Sequence, residues 1–422
     1  MDKIVIRGGR SLKGEIPISG AKNACLPIMT ASLLTDRTCV LKGVPELMDV
    51  RTMARLLAHL GVEVTPEMAR AEEVTFKDGN LATVEAPYEL VKTMRASVLV
   101  LGPLVARHRK AKVSLPGGCA IGARPINLHL KGLAAMGARI EMEGGYVIAA
   151  ARRLQGADFT FDQVTVTGTE NLVMAATLAR GRTVLRNAAR EPEVTDLCRA
   201  LLGMGARIEG LGTATLTIEG VENLGGFDHR VMPDRIETGT YLAAAAITGS
   251  QLTLTGTRAE TLDAVTAKFR EAGVKLNAEP DRLEIDARSG LSAAVDCATA
   301  PYPGFPTDMP AQLMAAMSLA PGTSIIKESI FENRFMHVQE LDRLGADIQV
   351  DGNRAVVRGV GKLSGAPVMA TDLRASACLI VAGLAAGGET VIRRVYHLDR
   401  GYDKIVRKLS AAGAHIRREK DE

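Results

Sequence analysis

The residues from Leu115 to His129 place one thiol, Cys119, in a loop that also holds Gly117, Gly118 and Gly122, with Arg124 five positions further on. Glycines relax the backbone restrictions that helix and strand interiors impose, so a loop of this kind suits a side chain that must approach a ligand. A guanidinium offers a planar fork to phosphate or carboxylate, and its charge favours a neighbouring thiolate. A thiol beside a fixed cation is therefore a candidate proton donor or nucleophile acting on an anionic substrate. A second candidate is Asp308, which follows Gly304-Phe305-Pro306-Thr307. A carboxylate on a proline-bounded turn can be aimed at a hydroxyl as a base, or it can simply cap a helix.

The elements that must position these groups come from an internal repeat. A helical stretch, a Gly-Ala or Gly-Val stop and a strand recur six times, with the stop glycine at 61, 137, 205, 273, 345 and 413, at intervals of 68–76 residues. Each unit reads as a first helix rich in Ala and Leu, a short β-branched strand, an amphipathic helix, the glycine stop and two more strands. In the fifth, Thr307-Asp308 opens a helix through Leu319, Thr323 to Lys327 is a strand, and Asn333 to Leu344 is the second helix. Alternating strands and helices predict an α/β protein, and six units predict two lobes of three. The stretch Glu222 to Arg230, with Gly225-Gly226, reads as a hinge between lobes or as a surface loop.

Charged residues return at fixed places in this repeat. First-helix starts carry Lys22-Asn23, Arg95, Glu170-Asn171, Asp234-Arg235-Glu237, Asp308 and Asp372-Arg374, and the turns before second helices carry Cys119 with Arg124, Glu191, Arg258, Asn333-Arg334 and Asp399-Arg400. Capping accounts for the acids and amides. It does not account for Lys22, Arg95, Arg235, Arg374 or Arg400, because a cation at a helix N-terminus opposes the helix dipole unless an anion joins it. The sequence thus predicts a distributed anion site.

Composition narrows the function classes. The 422 residues are 46% hydrophobic and 24% charged, with a net charge of +4 and 3% aromatics, which predicts a soluble globular protein and no nucleic-acid partner. The start lacks the apolar core of a signal peptide and no apolar run is long enough to span a bilayer, so the expected location is the cytoplasm, with no membrane partner. The six cysteines at 25, 39, 119, 198, 297 and 378 show no CxxC pair and are expected as free thiols. Seven scattered histidines form no zinc motif, and neither a Walker A loop nor a strand-GxGxxG-helix unit occurs, so no metal and no cofactor are expected.

Several motifs taken in order resemble the enolpyruvyl transferase family, specifically the branch that uses UDP-N-acetylglucosamine as acceptor. They are Ser19-Gly20-Ala21-Lys22-Asn23, Lys92-Thr93-Met94-Arg95, the Cys119 loop, Arg190-Glu191-Pro192-Glu193, Pro233-Asp234-Arg235-Ile236-Glu237, Phe305-Pro306-Thr307-Asp308, Phe331-Glu332-Asn333-Arg334, Thr371-Asp372-Leu373-Arg374 and His397-Leu398-Asp399-Arg400. The resemblance covers nearly the whole chain. It implies a two-lobed inside-out α/β barrel of six βαβαββ-like repeats, three per lobe, with residues 1–21 joining 233–422 and residues 22–232 forming the lobe with the Cys loop.

The resemblance also implies the reaction. The enolpyruvyl group of phosphoenolpyruvate passes to the 3-hydroxyl of UDP-N-acetylglucosamine with release of phosphate, the first committed step of peptidoglycan synthesis. Cys119 would be the general acid and the site alkylated by fosfomycin, Asp308 the base, and Lys22 and Arg400 further catalytic groups. Lys22, Asn23, Arg124 and Arg400 would hold phosphoenolpyruvate, with Arg374 at its carboxylate. Arg95, Arg124, Pro125, Ile126, Asn127, Leu128, Gln163, Val164, Thr165, Val166, Asp308 and Ile330 would contact the nucleotide sugar, and Arg334 and Asp372 complete the binding set.

Two positions depart from the family pattern. Gln163 stands where many relatives carry lysine, and Asn127 where an acid is common. The alternatives are the sister enzyme acting on shikimate 3-phosphate, which is not expected to carry the Pro-Gly-Gly-Cys loop, and a silent nucleotide-sugar-binding protein on the same fold. A thiol redox enzyme would need a resolving cysteine near Cys119, which the local sequence lacks.

Overall fold

A computed structural model describes residues 2–66, 72–78, 80–115 and 126–421. Its helices and strands alternate, and the strands form six four-stranded sheets of one design. In the fifth, the short strand Cys297–Ala298 runs parallel to Thr323–Lys327, which pairs antiparallel with Arg354–Arg358, and that strand pairs antiparallel with Asp347–Asp351 at the other edge. The same sequence of one parallel and two antiparallel pairings holds in the other five. With a helix between each of the first pairs of strands, the repeat is βαβαββ.

Three of these sheets are completed from far along the chain. Asp2–Arg7 lies between Glu389–Arg393 and His415–Lys420, and Lys13–Pro17 pairs with Gln251–Thr255. Asp228–Arg230, the end of the stretch read as a hinge or a surface loop, pairs with Cys39–Lys42 as an edge strand of the first sheet, and residues 222–227 before it are irregular. Gly226 is fixed there by packing, since a Cβ would fall 1.8 Å from the Thr38 carbonyl oxygen.

Residues 2–19 with 233–421 form one compact unit, and 20–115 with 126–232 another. Each has its own hydrophobic core. In the first, the helices Arg235–Ile247, Pro310–Met317 and Leu373–Ala385 pack on one another. All residues of the first two are buried. A helix that is apolar or small on every side must be enclosed, and its alanines let neighbouring helices approach closely. Enclosure comes from the sheets. Their strands alternate, as in Glu389–Arg393 with Thr390 and Ile392 buried and its end residues exposed, so one face covers helices and the other meets water. This is the inside-out α/β arrangement.

The stop glycines behave alike: Gly61, Gly137, Gly205, Gly273, Gly345 and Gly413 all have φ between 89° and 110°. A left-handed residue ends the amphipathic helix and turns the chain into the next strand. Helix limits differ from expectation in the fifth unit. Its first helix begins at Pro310, and the second is confined to Val338–Arg343. Among the described residues no helix is long and apolar enough to cross a membrane. Cys25, Cys39, Cys198, Cys297 and Cys378 are buried free thiols, and burial pushes the Cys39 pKa up to about 11.

Two buried acids give stability tests. Glu237 accepts from Lys408 Nζ at 2.6 Å, from Ser19 N at 2.7 Å and from Tyr241 Oη at 3.3 Å. Lys408→Met would leave that carboxylate buried without its cation and should cost about 3–5 kcal/mol in denaturant unfolding. Glu170 is 1% exposed, and its Oε1 has no hydrogen-bond partner. Burial first, then the charges of Glu193 and Glu191, raise its pKa well above 4.5. The folded state therefore holds a proton that the unfolded state loses near that ordinary value, so stability falls as pH rises from there toward the folded pKa. Glu170→Gln should remove this slope, which reaches about 1.4 kcal/mol per pH unit. Parallel unfolding of wild type and variant between pH 5 and 8 should show a gap widening in favour of glutamine; a constant gap would refute the buried proton.

Candidate functional site

In the unit containing residues 20–232, a buried polar knot joins three elements that carry expected sugar contacts. His129, in the helix Asn127–Ala135, accepts at Nδ1 from Asn171 Nδ2 at 2.9 Å. Asn171, in the helix Val166–Ala176, also donates to the Val98 carbonyl at 3.0 Å, and its Oδ1 accepts from Gly102 N at 2.6 Å. With Nδ1 an acceptor, the His129 proton resides on Nε2, 3.4 Å from Thr167 Oγ1. Burial and then the charge of Arg95 depress the His129 pKa to about 3, so the ring is a neutral spacer.

This knot ties the start of the Asn127 helix to the Arg95–Val100 turn and to the first turn of the Val166 helix. Arg95, Ile126, Asn127, Leu128, Thr165 and Val166 are thereby anchored to a common support. Asn127 and Gln163 are exposed, Val164 and Leu128 half-buried, and Thr165 caps its helix by accepting from Gly168 N at 3.2 Å. Cys119, Arg124 and Pro125 lie outside the described residues. Elsewhere in this unit Lys22 opens the helix Lys22–Ala31 and lies 3.3 Å from Asp49, while Asn23 is exposed.

In the other unit the expected residues gather around Asp308. Its Oδ1 accepts from Arg334 Nη2 and its Oδ2 from Arg374 Nη2, each at 2.8 Å. Both guanidinium side chains are 8% exposed, so these are charge-assisted bonds in a largely water-free setting. The helix that follows is capped at Met309 without a side-chain bond, and Asp308 faces the arginines. Asp372, by contrast, is a cap, accepting from Arg374 N at 2.8 Å and Ala375 N at 3.1 Å.

Arg374 is held from a second side by Tyr402 Oη at 3.2 Å. Tyr402 Oη also lies 2.8 Å from Thr240 Oγ1, whose own proton goes to the Ile236 carbonyl. Burial opposes the charge of Arg374, but Asp308, Tyr402 and Asp234 together outweigh it and its pKa rises. Ile330 is 38% exposed, beside Phe331, whose ring lies 5.2 Å from the Arg334 guanidinium. Arg400 ends the turn Val395–Arg400, half-buried, and its charge contributes to lowering the His397 pKa after burial.

The cations at helix starts thus have partners that the sequence did not reveal: Asp49 faces Lys22, and Asp308 faces Arg374. Capping, expected for the acids and amides, holds for Asp234 and Asp372 but not for Glu170 and Asn171, which lie inside a helix, or for Glu191, which makes no side-chain cap bond; Thr165 caps without having been read so. Sequence reasoning met His129 only as the end of the Cys119 stretch and Asn171 only as a helix-start residue, and it missed the role of Tyr402; all three act through contacts between distant segments.

The chain matches the family model described as EPSP synthase (3-phosphoshikimate 1-carboxyvinyltransferase) over residues 6–409. It is 59% identical over 418 residues to a UDP-N-acetylglucosamine 1-carboxyvinyltransferase of Magnetococcus marinus, covering 99% of each chain. Among solved structures it is similar to the enolpyruvyl transferase NikO from Streptomyces tendae, with a TM-score of 0.88 at 25% identity over 100% of this chain and 99% of that one. An EPSP synthase from Acinetobacter baumannii shares the fold, with a TM-score of 0.77 at 18% identity and full coverage of both chains. With matches that span the repeat from end to end, the chain belongs to the EPSP synthase family of enolpyruvyl transferases.

Proposed function

We propose that this protein transfers the enolpyruvyl group of phosphoenolpyruvate to the 3-hydroxyl of UDP-N-acetylglucosamine and releases phosphate, a cytoplasmic step of peptidoglycan precursor synthesis. The observation that carries the reading is 59% identity, over nearly the full length of both chains, to a relative bearing that activity in its name. The Asp308 cluster supports it, because a carboxylate can accept a proton while the two guanidinium groups beside it can bind an anion.

In this reading Cys119 delivers its proton to the methylene carbon of phosphoenolpyruvate, and positive charge develops on the adjacent carbon. The sugar 3-hydroxyl oxygen bonds to that carbon while its proton passes to Asp308. The tetrahedral ketal then loses a proton from the new methyl group and expels phosphate, leaving the enol ether. Lys22, Asn23, Arg124 and Arg400 bind the phosphate-bearing substrate, and its carboxylate competes with Asp308 for Arg374. That exchange frees Oδ2 of Asp308 to accept the hydroxyl proton. Arg95, Arg124 to Leu128, Gln163 to Val166 and Ile330 contact the nucleotide sugar, with Arg334 and Asp372 holding Asp308 and the Arg374 helix in place. The exposed Gln163 leaves a diphosphate there to backbone amides and the Thr165 side chain. Alkylation of Cys119 by fosfomycin is expected.

Phosphate release from phosphoenolpyruvate should require UDP-N-acetylglucosamine, should not occur with shikimate 3-phosphate, and should collapse in Cys119→Ser. Release with shikimate 3-phosphate instead would assign the sister reaction, and binding of the nucleotide sugar without release would assign a silent paralogue. Asp308→Ala should lower kcat by about 10²–10⁴-fold, the usual weight of a general base. An unchanged kcat in steady-state assays would remove Asp308 from the proton path.

A further inference from the structure

Two loops leave the carboxyl ends of the parallel strands Cys297–Ala298 and Thr323–Lys327, the location at which open α/β sheets place ligands. One carries Thr307 and Asp308, the other Ser329 to Phe331 with Ile330. Between them sits Glu328, 2% exposed, the residue that follows the second strand. Its Oε1 accepts from Thr299 Oγ1 at 2.8 Å, from Ile330 N at 2.7 Å and from Phe331 N at 3.2 Å. Its Oε2 accepts from Thr307 Oγ1 at 2.8 Å. Thr299 Oγ1 in turn accepts from Ser329 N at 2.7 Å, and the Glu328 backbone N donates to the Asn353 carbonyl at 2.9 Å.

We infer that Glu328 is a positioning residue for the acceptor sugar: one buried carboxylate fixes the loop bearing the base and the loop bearing Ile330 in a single relative placement. The inference rests on the reaction proposed above. Its physical basis is that four donors from both loops converge on the two oxygens of one buried side chain, with the Ser329–Thr299 and Arg334–Asp308 bonds as further links between the same loops. Misplacement of a reacting group by about 1 Å can cost on the order of 10²-fold in rate. Glu328 therefore controls how the sugar hydroxyl meets Asp308, while groups expected at phosphoenolpyruvate lie on other segments.

The distinguishing variants follow from hydrogen-bond roles. Glu328→Gln keeps an acceptor oxygen for Thr299, Ile330 and Phe331, and its amide can donate to Thr307, whose hydroxyl reverses role. Glu328→Ala removes all four bonds, and Thr307→Val cuts only the bond next to Asp308, leaving the one from Thr299. Steady-state kinetics of the full chain, varying each substrate separately, should show KM for UDP-N-acetylglucosamine raised tenfold or more in Glu328→Ala, with KM for phosphoenolpyruvate within about twofold of wild type. Thr307→Val should lower kcat more than it raises that KM, and Glu328→Gln should restore both to within about threefold of wild type. Equal changes in both KM values, wild-type kinetics in a folded Glu328→Ala, or a Gln variant as impaired as the Ala variant would overturn the inference. If Glu328→Ala does not fold, the Thr307→Val and Glu328→Gln results decide. Wild-type protein inactive with both substrates would instead overturn the proposed reaction, and amide exchange at Ile330 and Phe331, faster in Glu328→Ala if the clamp exists, would still test the positioning.

Discussion

A helix with no polar side has to be kept from water entirely, and in this protein that constraint organises each unit. The helices Arg235–Ile247, Pro310–Met317 and Leu373–Ala385 satisfy one another's surfaces only in part, so sheets must cover the remainder. A four-stranded sheet with one apolar face is enough for one side, which makes a repeated βαβαββ unit the natural solution. The arrangement leaves helix N-termini and the loops beside them as the places where polar chemistry meets the core. Asp234 and Asp372 cap two of these helices, and Arg374 enters from the second residue of one of them.

Burying cations at such positions is unfavourable without partners, and the partners present are carboxylates of the same chain. Asp308 satisfies two guanidinium groups, Asp49 faces Lys22, and Glu237 takes Lys408. A buried pair of this kind adds little net stability, whereas removal of either member strands the other. The pairs therefore act mainly as preorganisation. In the proposed reaction, an anionic substrate at Arg374 would meet a guanidinium already aimed, held by Tyr402 as well as by Asp308, and only a change of partner would be required.

Much of this was legible in the residues. The stop glycines mark the repeat because each must adopt a left-handed conformation that other residues resist, and all of them do. The strand Thr323–Lys327 fell where alternation put it. The parallel edge strands escaped notice because several are only two or three residues long, as at Cys297–Ala298 and Asp228–Arg230, too short to show a period. The stretch before the latter resembled a hinge or a loop for Gly225 and Gly226, and at Gly226 the missing side chain permits close packing on Thr38. Asp308 looked equally like a cap and a base, since the turn before a helix suits both; its arginine neighbours, 26 and 66 residues away, could not be read from the local sequence. The His129–Asn171 knot and the Glu328 clamp are likewise tertiary, and nothing local announces them.

The central claim is an addition followed by an elimination, with a proton entering and leaving the same carbon. The direct test is to run the reaction of phosphoenolpyruvate with UDP-N-acetylglucosamine in D2O and examine the vinyl protons of the product by NMR. If Cys119 delivers a solvent-exchangeable proton to the methylene carbon, the transient methyl group carries deuterium, and the product's vinyl position must be partly deuterated. A product enol ether whose vinyl group retains only protium, with phosphate released as expected, would contradict protonation at that carbon and with it the role given to the thiol.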